Sequence, residues 1–343
     1  MKLIIQIPCL NEEAVLPQTL SDLPREVEGF SEVEWLVIDD GSSDRTTEVA
    51  RECGVDHIVR FSSNKGLAVA FQAGLDAALK LGADVIVNTD ADNQYCGDDI
   101  QALVAPILAR EADVVVGDRV PKEIEDFSRT KKLLQSWGSW AVRQASDTDI
   151  PDATSGFRAY TREAALGVNV VSRFTYTLET IIQAGKSNLA VTHVPVRTNP
   201  KTRESRLFRS TTHYLWRSVG TILRIYAMHE PLPMFLWPAA VSGLAGLAVF
   251  ARFFYYYFAS GGTGHVQSLI VGAVLLVFAV QFLLLGIISD LLRANRVISE
   301  RTLERVRKLE LALEIEPDGL ASTAVDQHNA AEEPISTVPA GRP

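Results

Sequence analysis

Short apolar runs alternate with longer amphipathic segments over residues 1 to about 200. The apolar runs are continuous, which is typical of strands that are covered on both faces of a parallel sheet. Between the runs, the stretch from Leu67 to Leu79 repeats apolar residues at helical spacing and predicts the helix that follows the third strand. This order predicts βαβ units, and therefore a three-layer α/β fold with a mostly parallel sheet. The predicted strands include Leu3 to Ile7, Trp35 to Ile38, Val85 to Val87, Val114 to Val116 and Val191 to Val196.

The pattern changes after residue 230, where two long apolar segments follow each other. Leu232 to Phe258 and Val266 to Ser289 each contain more than about 20 mostly apolar residues, which is enough to cross a bilayer. Residues 259–267 between them contain no lysine or arginine, whereas arginines flank the pair. This asymmetry predicts two transmembrane helices with both ends in the cytoplasm, rather than two buried helices of a soluble core. The flanking arginines are Arg217, Arg224, Arg293 and Arg296.

A third segment, residues 206–230, lies just before this pair. Arg206, Arg217 and Arg224 fall within roughly 20° of one another on a helix, and apolar side chains cluster opposite them. The pattern predicts an amphipathic helix on the membrane surface, and it also fits a helix packed on the soluble core. The resulting division is an α/β domain at 1–205, the surface helix at 206–230, transmembrane helices at 231–293, and a cytoplasmic helix with a disordered tail at 294–343.

The composition narrows the cellular setting. The formal net charge of -9 argues against a nucleic-acid binder, whose affinity would depend on neutralising phosphates. The cysteines, Cys9, Cys53 and Cys96, lack the spacing of a zinc site or a disulfide framework and fit a reducing compartment. The stretch from Met1 to Pro8 lacks the apolar length of a signal peptide, so the N-terminal part is expected in the cytosol.

Two acidic residues follow the predicted strand Val85 to Val87. The strand period of two puts Asp90 and Asp92 on the same side, and ligands of open parallel sheets gather beyond the carboxyl ends of the strands. Two carboxylates there can share a hard divalent cation, with Gln94 adding a neutral oxygen. Because no Cys or His cluster is near, the pattern favours Mg²⁺ or Mn²⁺ over zinc.

The same two aspartates also fit a loop without a metal, in which they are solvated acids that cap the chain. An acyl-phosphate phosphatase likewise carries two aspartates, one residue apart, at a strand end. In that class of enzyme a hydroxyl or small residue usually follows where Gln94 stands in this chain. Gln94 therefore argues against the phosphatase.

Polar residues follow two further strands. The first strand ends in residues 8–13, which include Asn11 and Glu12, and the second ends in Asp39 and Asp40. Carboxylates accept hydrogen bonds from a nucleobase or ribose, so Glu12 with Asp39 or Asp40 is suited to nucleoside recognition. Asn11 and Asp44 are also ordinary helix-capping residues, and that structural role is favoured for these two taken alone.

Together these residues resemble the pattern of glycosyltransferase family 2. The sequence is most similar to the dolichol-phosphate mannosyltransferase-like group of that family, over about residues 1 to 210. The group includes members that end in a transmembrane hairpin, in agreement with the hydropathy pattern. The matching positions are Pro8, Asn11, Glu12 and Glu13 in the opening signature, Val37 to Asp44 in the second, Asp90 to Asp92 in the third, and Gly117 to Arg119, Asp152 to Tyr160 and Arg203 to Leu207 in the segments typical of the group.

The resemblance implies a GT-A fold, which is Rossmann-like, and an inverting, Mg²⁺- or Mn²⁺-dependent transfer of a hexose. The implied donor is a UDP- or GDP-hexose, and the implied acceptor is polyprenyl phosphate, dolichyl or undecaprenyl, at the cytoplasmic face of the membrane. It implies metal ligands at Asp90, Asp92 and Gln94, phosphate contacts at Arg119 and Arg203, and nucleoside contacts at Pro8, Glu12 and Asp39. Further candidates are Leu10, Asn11 and Asp40 for the donor nucleotide, and Lys131, Lys132, Asp152, Ser155, Arg158, Ser205 and Arg206 for the acceptor phosphate or sugar.

For two pairs of these residues, a purely structural role is an alternative to a role in binding. Lys131 and Lys132 suit the phosphate of a lipid head group and suit a solvated helix face equally well. Asp152 and Arg158 suit the wall of a sugar pocket and, equally, an internal ion pair.

The implied reaction needs no strong base. A phosphate monoester is largely dianionic at neutral pH, because its second pKa is about 6. Competing hypotheses are a member of the family with another lipid or glycan acceptor, a non-catalytic membrane scaffold and a nucleotidyltransferase. The intact acidic set argues against the scaffold, and the sequence has no Gly-rich, Lys-containing triphosphate loop beside the first strand. Homo-oligomer formation is compatible with each hypothesis.

Overall fold

The structure is a computed structural model that describes residues 1–119, 146, 148–170, 176–199, 220, 227, 230–259, 266–317 and 320–321. Most of the predicted helix at 206–230 and the tail after residue 321 lie outside the described residues. The same holds for the phosphate- and acceptor-binding candidates Lys131, Lys132, Arg203, Ser205 and Arg206.

The strands of the described residues form one sheet. They are β1 (Lys2–Cys9), β2 (Glu32–Asp39), β3 (His57–Arg60), β4 (Val85–Asn88), β5 (Val114–Asp118), β6 (Arg158–Thr161), β7 (Val191–Pro195) and β8 (Leu320–Ala321). Their spatial order is β7-β5-β6-β4-β1-β2-β3-β8. Only β6 and β8 run antiparallel to their neighbours in this sheet. The predicted α/β fold with a mostly parallel sheet is confirmed.

Helices cover both faces of the sheet. Alternate residues of β1 belong to opposite apolar clusters, with Leu3 and Ile5 in one and Ile4 in the other. Burying each such side chain stabilises the fold by about 1.5–3 kcal/mol, so the two clusters hold the helices against the sheet. The helices of this domain are α1 (Leu16–Asp22), α2 (Thr46–Glu52), α3 (Leu67–Lys80), α4 (Ile100–Leu108), α5 (Arg162–Gly167) and α6 (Thr177–Lys186), with a 3₁₀ turn at Gly97–Asp99.

β6 places a loop at one edge of the sheet. It lies antiparallel between β4 and β5 and pairs Arg158 with Asn88, the last residue of β4. Residues 152–157, which precede β6, therefore lie at the carboxyl edge of the parallel strands.

Two long helices, α7 (Pro231–Ala259) and α8 (Val266–Ala312), follow the domain. Both are long and apolar enough to cross a membrane, with mean hydropathy 1.8 and 2.8, and 11% of the apolar window of each is buried. Such low burial argues against two helices of a soluble core. α8 is 47 residues long, so the predicted second membrane helix and the predicted cytoplasmic helix after it are one continuous element.

α7 and α8 pack against each other through glycines. A Cβ atom at Gly246 would lie 3.2 Å from the carbonyl oxygen of Gly272 and 3.1 Å from Cγ of Leu276. Small residues that let two helix backbones approach closely are typical of helix pairs in membranes.

Candidate active site at the carboxyl edge of the sheet

One edge of the sheet brings together most of the predicted site residues. β1, β2, β4 and β5 end at this edge, and β6 begins there. In folds of this kind, ligands bind beyond the carboxyl ends of the parallel strands. Asp39 is the last residue of β2. The predicted residues that follow these strands or precede β6 are Glu12, Asp40, Asp90, Asp92, Arg119, Asp152 and Ser155.

Asp90 and Asp92 lie in a turn beyond β4, not in the strand. β4 ends at Asn88, so the alternation of a strand is not what places the two aspartates, and the prediction that it does was wrong. The turn is held from α1 instead, because Thr19 Oγ1 donates to the carbonyl oxygen of Ala91 at 2.9 Å.

The next residues of the turn fix its shape. The backbone N–H of Gln94 donates to Asp92 Oδ1 at 3.1 Å. Asn93 adopts a φ of 55°, a left-handed conformation in which Asn is enriched, and its side chain donates to Asp22 Oδ2 at 2.8 Å. The turn is therefore held by a hydrogen bond within it and by hydrogen bonds to α1.

Asp90 has a raised pKa. It is half-buried, and burial raises its pKa to about 7, with the charge of Asp92 adding to the shift and the cations Arg119 and Arg158 opposing it. A cation bound beside Asp90 would favour its ionised form.

The donor atoms of this turn fit one kind of metal site. In the described part of the chain, no group of three or more His, Cys, Asp and Glu side chains is arranged to hold a metal ion. Asp90 and Asp92 supply two carboxylates, and Gln94 carries an amide oxygen. Mg²⁺ in proteins is often held by one or two carboxylates together with waters and substrate phosphates. The residues therefore fit Mg²⁺ or Mn²⁺ that binds together with a diphosphate.

Gly156 passes directly against Asp90. A Cβ atom at this position would lie 3.0 Å from each carboxylate oxygen of Asp90 and 2.8 Å from the hydroxyl of Tyr176. The backbone of Gly156 is held on both sides, because its N–H donates to Tyr95 Oη at 3.1 Å and its carbonyl accepts from Asn88 Nδ2 at 2.8 Å.

A buried polar network supports Gly156 from the sheet. Gln6 Nε2 donates to Asn88 Oδ1 at 2.8 Å, and Asn88 Nδ2 also donates to Tyr176 Oη at 2.9 Å. Tyr176 stacks on Phe71 of α3 with ring centroids 3.9 Å apart. Burial raises the pKa of Tyr176 well above its usual value, so its hydroxyl stays protonated. Asn88 and Tyr176 were missed by the sequence reasoning, although a polar Asn at the end of an apolar strand was a signal for the first.

Arg119 and Asp152 form a bidentate ion pair. Arg119 Nε donates to Asp152 Oδ2 at 2.7 Å and Nη2 donates to Oδ1 at 3.1 Å. Burial alone would raise the pKa of Asp152, but the Arg119 guanidinium and hydrogen bonds from Thr154 outweigh it and lower the pKa. Within the described residues, the hydrogen bonds of Arg119 come from Nε and Nη2.

Ser155, within the loop 152–157, and Arg158, the residue directly after it, are fully buried. Arg158 donates to the carbonyl oxygens of Ser155 at 2.8 Å and Ala153 at 2.9 Å, and to Thr180 Oγ1 at 2.6 Å. Arg158 therefore holds the loop in shape from inside the domain.

The loops after β1 and β2 are joined by reciprocal hydrogen bonds. Ser42 Oγ accepts from the N–H of Asn11 at 2.9 Å, and Asn11 Oδ1 accepts from the N–H of Ser43 at 2.8 Å. The N–H of Glu12 donates to Thr46 Oγ1 at 2.9 Å. Asn11 thus cross-links two loops, and the buried Glu12 lies at their junction.

Asp39, Asp40 and Asp44 hold backbone groups of the same loops. Asp39 is fully buried and accepts from the N–H of Ser42 at 2.8 Å. Asp40 accepts from the N–H groups of residues 65 and 66 at 2.7 and 2.9 Å, and burial raises its pKa. Asp44 accepts from the N–H of Thr46, the first residue of α2, at 3.0 Å, although the N-cap position of that helix is Arg45.

An open cavity of about 360 Å³ lies beside Asp39. Arg60, at the end of β3, connects the two, because its Nε lies 3.2 Å from Asp39 Oδ2. The volume is within the range of small-molecule sites, roughly 300–1,000 Å³. The sequence reasoning missed this side of the site, although β3 ends at the same edge as the strands it considered. The lining residues are Gly41, Ser42, Arg60, Phe61 and Ser62.

The segment after β7 is tied to the Asp92 turn. The N–H of Asn199 donates to the carbonyl oxygen of Gln94 at 2.9 Å, and Asn199 Nδ2 donates to that of Asn93 at 3.1 Å. Thr198 also forms a bridge with Tyr95. The chain that leads to Arg203 therefore starts beside the two aspartates.

Known proteins match this chain over the domain that carries the site. Residues 4–167 match the family described as Glycosyl transferase family 2. An undecaprenyl-phosphate mannosyltransferase of Micrococcus luteus is 31% identical over 177 residues, which are 50% of this chain and 70% of that protein. A UDP-N-acetylglucosamine–dolichyl-phosphate N-acetylglucosaminyltransferase of Methanococcus voltae is 28% identical over 213 residues, 56% of this chain and 83% of that protein.

A solved structure shares the fold. Glucosyl-3-phosphoglycerate synthase from Mycobacterium tuberculosis, in complex with Mn²⁺, UDP-glucose and phosphoglyceric acid, superposes with a TM-score of 0.52. The sequence identity is 18%, and the match covers 66% of this chain and 80% of that chain. At this identity the likeness shows a GT-A-like fold and nothing further.

Proposed function

Because the chain belongs to glycosyl transferase family 2, we propose that this glycosyltransferase moves a hexose from a nucleotide-diphosphate sugar to polyprenyl phosphate. The observation that carries the proposal is the arrangement at the carboxyl edge of the sheet. Asp90 and Asp92 lie there between the cavity beside Asp39 on one side and the paired Arg119 on the other. Along this edge, the cavity suits the nucleoside, the two aspartates suit the diphosphate with its metal ion, and Arg119 suits the acceptor phosphate.

The donor nucleoside is proposed to occupy the cavity lined by Arg60 and Phe61. A base or ribose in this cavity would lie near the end of β1, which carries Pro8, and near the joined loops that carry Leu10 and Glu12. Asp39 orders the Ser42 N–H, and Asp40 orders the loop before α3, so these two carboxylates shape the walls of the cavity. The relative from Methanococcus voltae is named for a UDP-linked donor, and this supports a nucleoside diphosphate here.

The diphosphate is proposed to lie at the Asp90–Asp92 turn. Mg²⁺ or Mn²⁺ bound by Asp90 and Asp92, with Gln94 as a third ligand, would neutralise the charge of the departing diphosphate. The half-buried position of Asp90 excludes part of the surrounding water. Charge interactions are stronger in such a place than in open solvent.

The acceptor phosphate is proposed to meet Arg119. Arg203 is a second candidate, because it is only four residues beyond the anchored Asn199 and can reach no more than about 14 Å from it. Lys131, Lys132, Ser205 and Arg206 are further candidates from the sequence. The acceptor arrives ionised, so its oxygen can attack the anomeric carbon in one inverting displacement without a base. Positioning and charge stabilisation then supply the catalysis.

The membrane arrangement is proposed from the two apolar helices. Trp237 and Tyr255, which are 73% and 70% exposed, lie 18 residues apart on α7. That separation is about 27 Å along the axis, close to the roughly 30 Å of a bilayer core. Aromatic residues are enriched at both membrane interfaces, so this spacing supports a transmembrane α7. With Arg293 and Arg296 beyond the apolar part of α8, both ends of the pair are assigned to the cytoplasm.

A donor panel tests the proposal. Purified full-length protein in nanodiscs is incubated with polyprenyl phosphate, Mn²⁺ and UDP- or GDP-hexoses, and lipid-linked sugar is measured. The expected result is product from one donor class and none from Asp92→Asn. Product only with soluble acceptors would contradict the lipid-acceptor assignment. Release of inorganic pyrophosphate would favour a nucleotidyltransferase, and no turnover with any donor would favour a scaffold.

A further inference from the structure

The part of α8 beyond its apolar segment returns to the catalytic domain. We call residues 291–312 the cytoplasmic extension. It is continuous with the membrane segment, because α8 has no break between Val266 and Ala312. At about 1.5 Å per residue, Arg307 lies roughly 28 Å along the axis from Ile288, in the apolar segment.

Arg307 of the extension contacts two helices of the domain. Its Nη1 donates to the carbonyl oxygens of Leu166 at 3.1 Å and Val168 at 2.7 Å, at the end of α5. Its Nη2 lies 3.2 Å from Asp76 Oδ1 on α3, and the side chain is 11% exposed. A cation at a helix C-terminus is favourable, and the rigid fork of a guanidinium can hold two helices at once.

Neighbouring residues strengthen this contact. Lys80 Nζ at the end of α3 lies 3.5 Å from Glu310 Oε2. Leu311 packs against the apolar cluster between the sheet and α3. Further along, β8 pairs with β3, with Ala321 opposite Ile58. The chain after the membrane helix is therefore bound to the domain at three successive places.

A second contact lies at the membrane end of the extension. Glu230, directly before α7, accepts from Lys186 Nζ at 3.0 Å, at the end of α6, and lies 3.7 Å from Arg293 Nη1. The domain is thus attached to α8 both near the bilayer and at Arg307.

The helices that Arg307 joins continue from two loops of the site. α3 follows Gly66, whose N–H binds Asp40 at 2.9 Å. α5 follows β6, and the loop before β6 carries Gly156 against Asp90. A contact that holds α3 and α5 to a membrane helix therefore holds both loops at a fixed position relative to the bilayer.

We propose that Arg307 is a positioning residue, which fixes the catalytic domain to α8 so that the site faces the phosphate of a membrane-embedded acceptor at a constant height and angle. The inference rests on the proposed function, because only an acceptor confined to the bilayer makes that height matter. The donor reaches the site from solution, so donor binding does not depend on the height of the site above the bilayer.

Kinetics in nanodiscs test the inference with Arg307→Ala, Arg307→Lys and the control Arg305→Ala, an exposed arginine of the same helix. Arg307→Ala is expected to raise the KM for polyprenyl phosphate about tenfold, since small misplacements of a reacting group are costly. The Kd for the donor nucleoside diphosphate with Mn²⁺ should change less than twofold. Arg307→Lys should recover part of the loss, and Arg305→Ala should match the wild type.

Hydrogen exchange gives a readout that does not depend on turnover. Arg307→Ala should increase exchange in residues 300–312 and at the end of α5, while residues 266–288 keep the exchange of the wild type. The inference is overturned if the kinetics of Arg307→Ala match those of Arg305→Ala, if donor affinity falls as much as acceptor use, or if exchange in 300–312 is unchanged. A wild type that makes no lipid-linked sugar would instead contradict the proposed function, and the exchange result would still decide whether Arg307 holds the extension.

Discussion

Gly156 leaves no room for a side chain against Asp90, because a Cβ atom at position 156 would lie 3.0 Å from both oxygens of that carboxylate. The same atom would lie 2.8 Å from the hydroxyl of Tyr176, which Asn88 holds in place. The loop before β6 and the turn after β4 are therefore fitted to each other at the carboxylate assigned to the metal.

Substitution of Gly156 by alanine should displace Asp90. We expect Mn²⁺ affinity to fall about 10- to 100-fold, which is usual when a neighbour that orients a ligand is changed. The measurement is the free-Mn²⁺ signal in electron paramagnetic resonance during titration with UDP present. Gly167→Ala is the matched control, because a Cβ atom at Gly167 meets nothing within 4 Å. Equal Mn²⁺ binding by Gly156→Ala and the wild type would show that this contact does not control the site.

Loss of one carboxylate should remove most of the activity. Asp92→Asn is expected to lower kcat by about 10²-fold or more, since charge stabilisation of a leaving group commonly contributes this much. Chelation of divalent cations from the wild type should have the same effect, and Mn²⁺ should restore only the wild type. The control is Asp98→Asn, whose side chain is 82% exposed. Full activity of Asp92→Asn would refute its role as a ligand.

Arg60 should affect the KM for the donor and not the KM for the acceptor. Arg60→Ala removes a wall of the cavity and the partner of the buried Asp39, and we expect the KM for the nucleotide sugar to rise about tenfold. The KM for polyprenyl phosphate should stay within twofold of the wild type. Arg51→Ala, at an exposed position of α2, serves as the control. A rise in the acceptor KM alone would place the nucleoside elsewhere.

The Arg119–Asp152 pair should make stability depend on pH. The pKa of Asp152 in the folded protein is lowered below its unfolded value of about 3.9. Its ionised form therefore contributes stability in full above about pH 4, and the contribution is lost as the pH falls through the lowered pKa. Asp152→Asn should destabilise the protein by about 3 kcal/mol at pH 7, because it leaves a buried guanidinium without its partner.

The difference in the free energy of unfolding between Asp152→Asn and the wild type should become smaller below about pH 4, because the wild-type carboxyl also becomes neutral there. Denaturant unfolding followed by tryptophan fluorescence at several pH values measures this difference. Asp98→Asn removes an exposed ion pair and should have little effect at any pH. A difference in the free energy of unfolding that stays constant down to pH 3 would contradict the lowered pKa of Asp152.

The sequence allowed the main features of the fold to be predicted, for physical reasons that particular residues show. Continuous apolar runs such as Val85 to Val87 indicate strands that are buried on both faces, and the rule that parallel strands share one carboxyl edge brought Asp39 and Asp90 to the same site. The family resemblance and the α/β fold are confirmed. The sequence predicted a membrane helix and a separate later helix. The structure has one continuous helix, α8, along which the residues change from apolar to polar without a helix break.

The features that the sequence did not reveal depend on contacts between distant segments. β6 begins with Arg158, which is buried only because carbonyl groups of its own loop and Thr180 accept its donors. Arg307 binds the end of α5 across 139 residues of chain. A single charged residue in a strand and a contact between residues far apart in the chain produce no periodic pattern in the sequence. The roles of Arg158 and Arg307 therefore could not be predicted from the sequence.

The stoichiometry of the reaction tests the central claim most directly. Full-length protein in nanodiscs receives a radiolabelled nucleotide hexose and polyprenyl phosphate, with Mn²⁺ or with a chelator, and both lipid-linked hexose and nucleoside diphosphate are counted. The account predicts one diphosphate released for each lipid-linked hexose formed, and neither product in the presence of the chelator. Transfer that continues unchanged without a divalent cation, or diphosphate release with no sugar on the lipid, would contradict it.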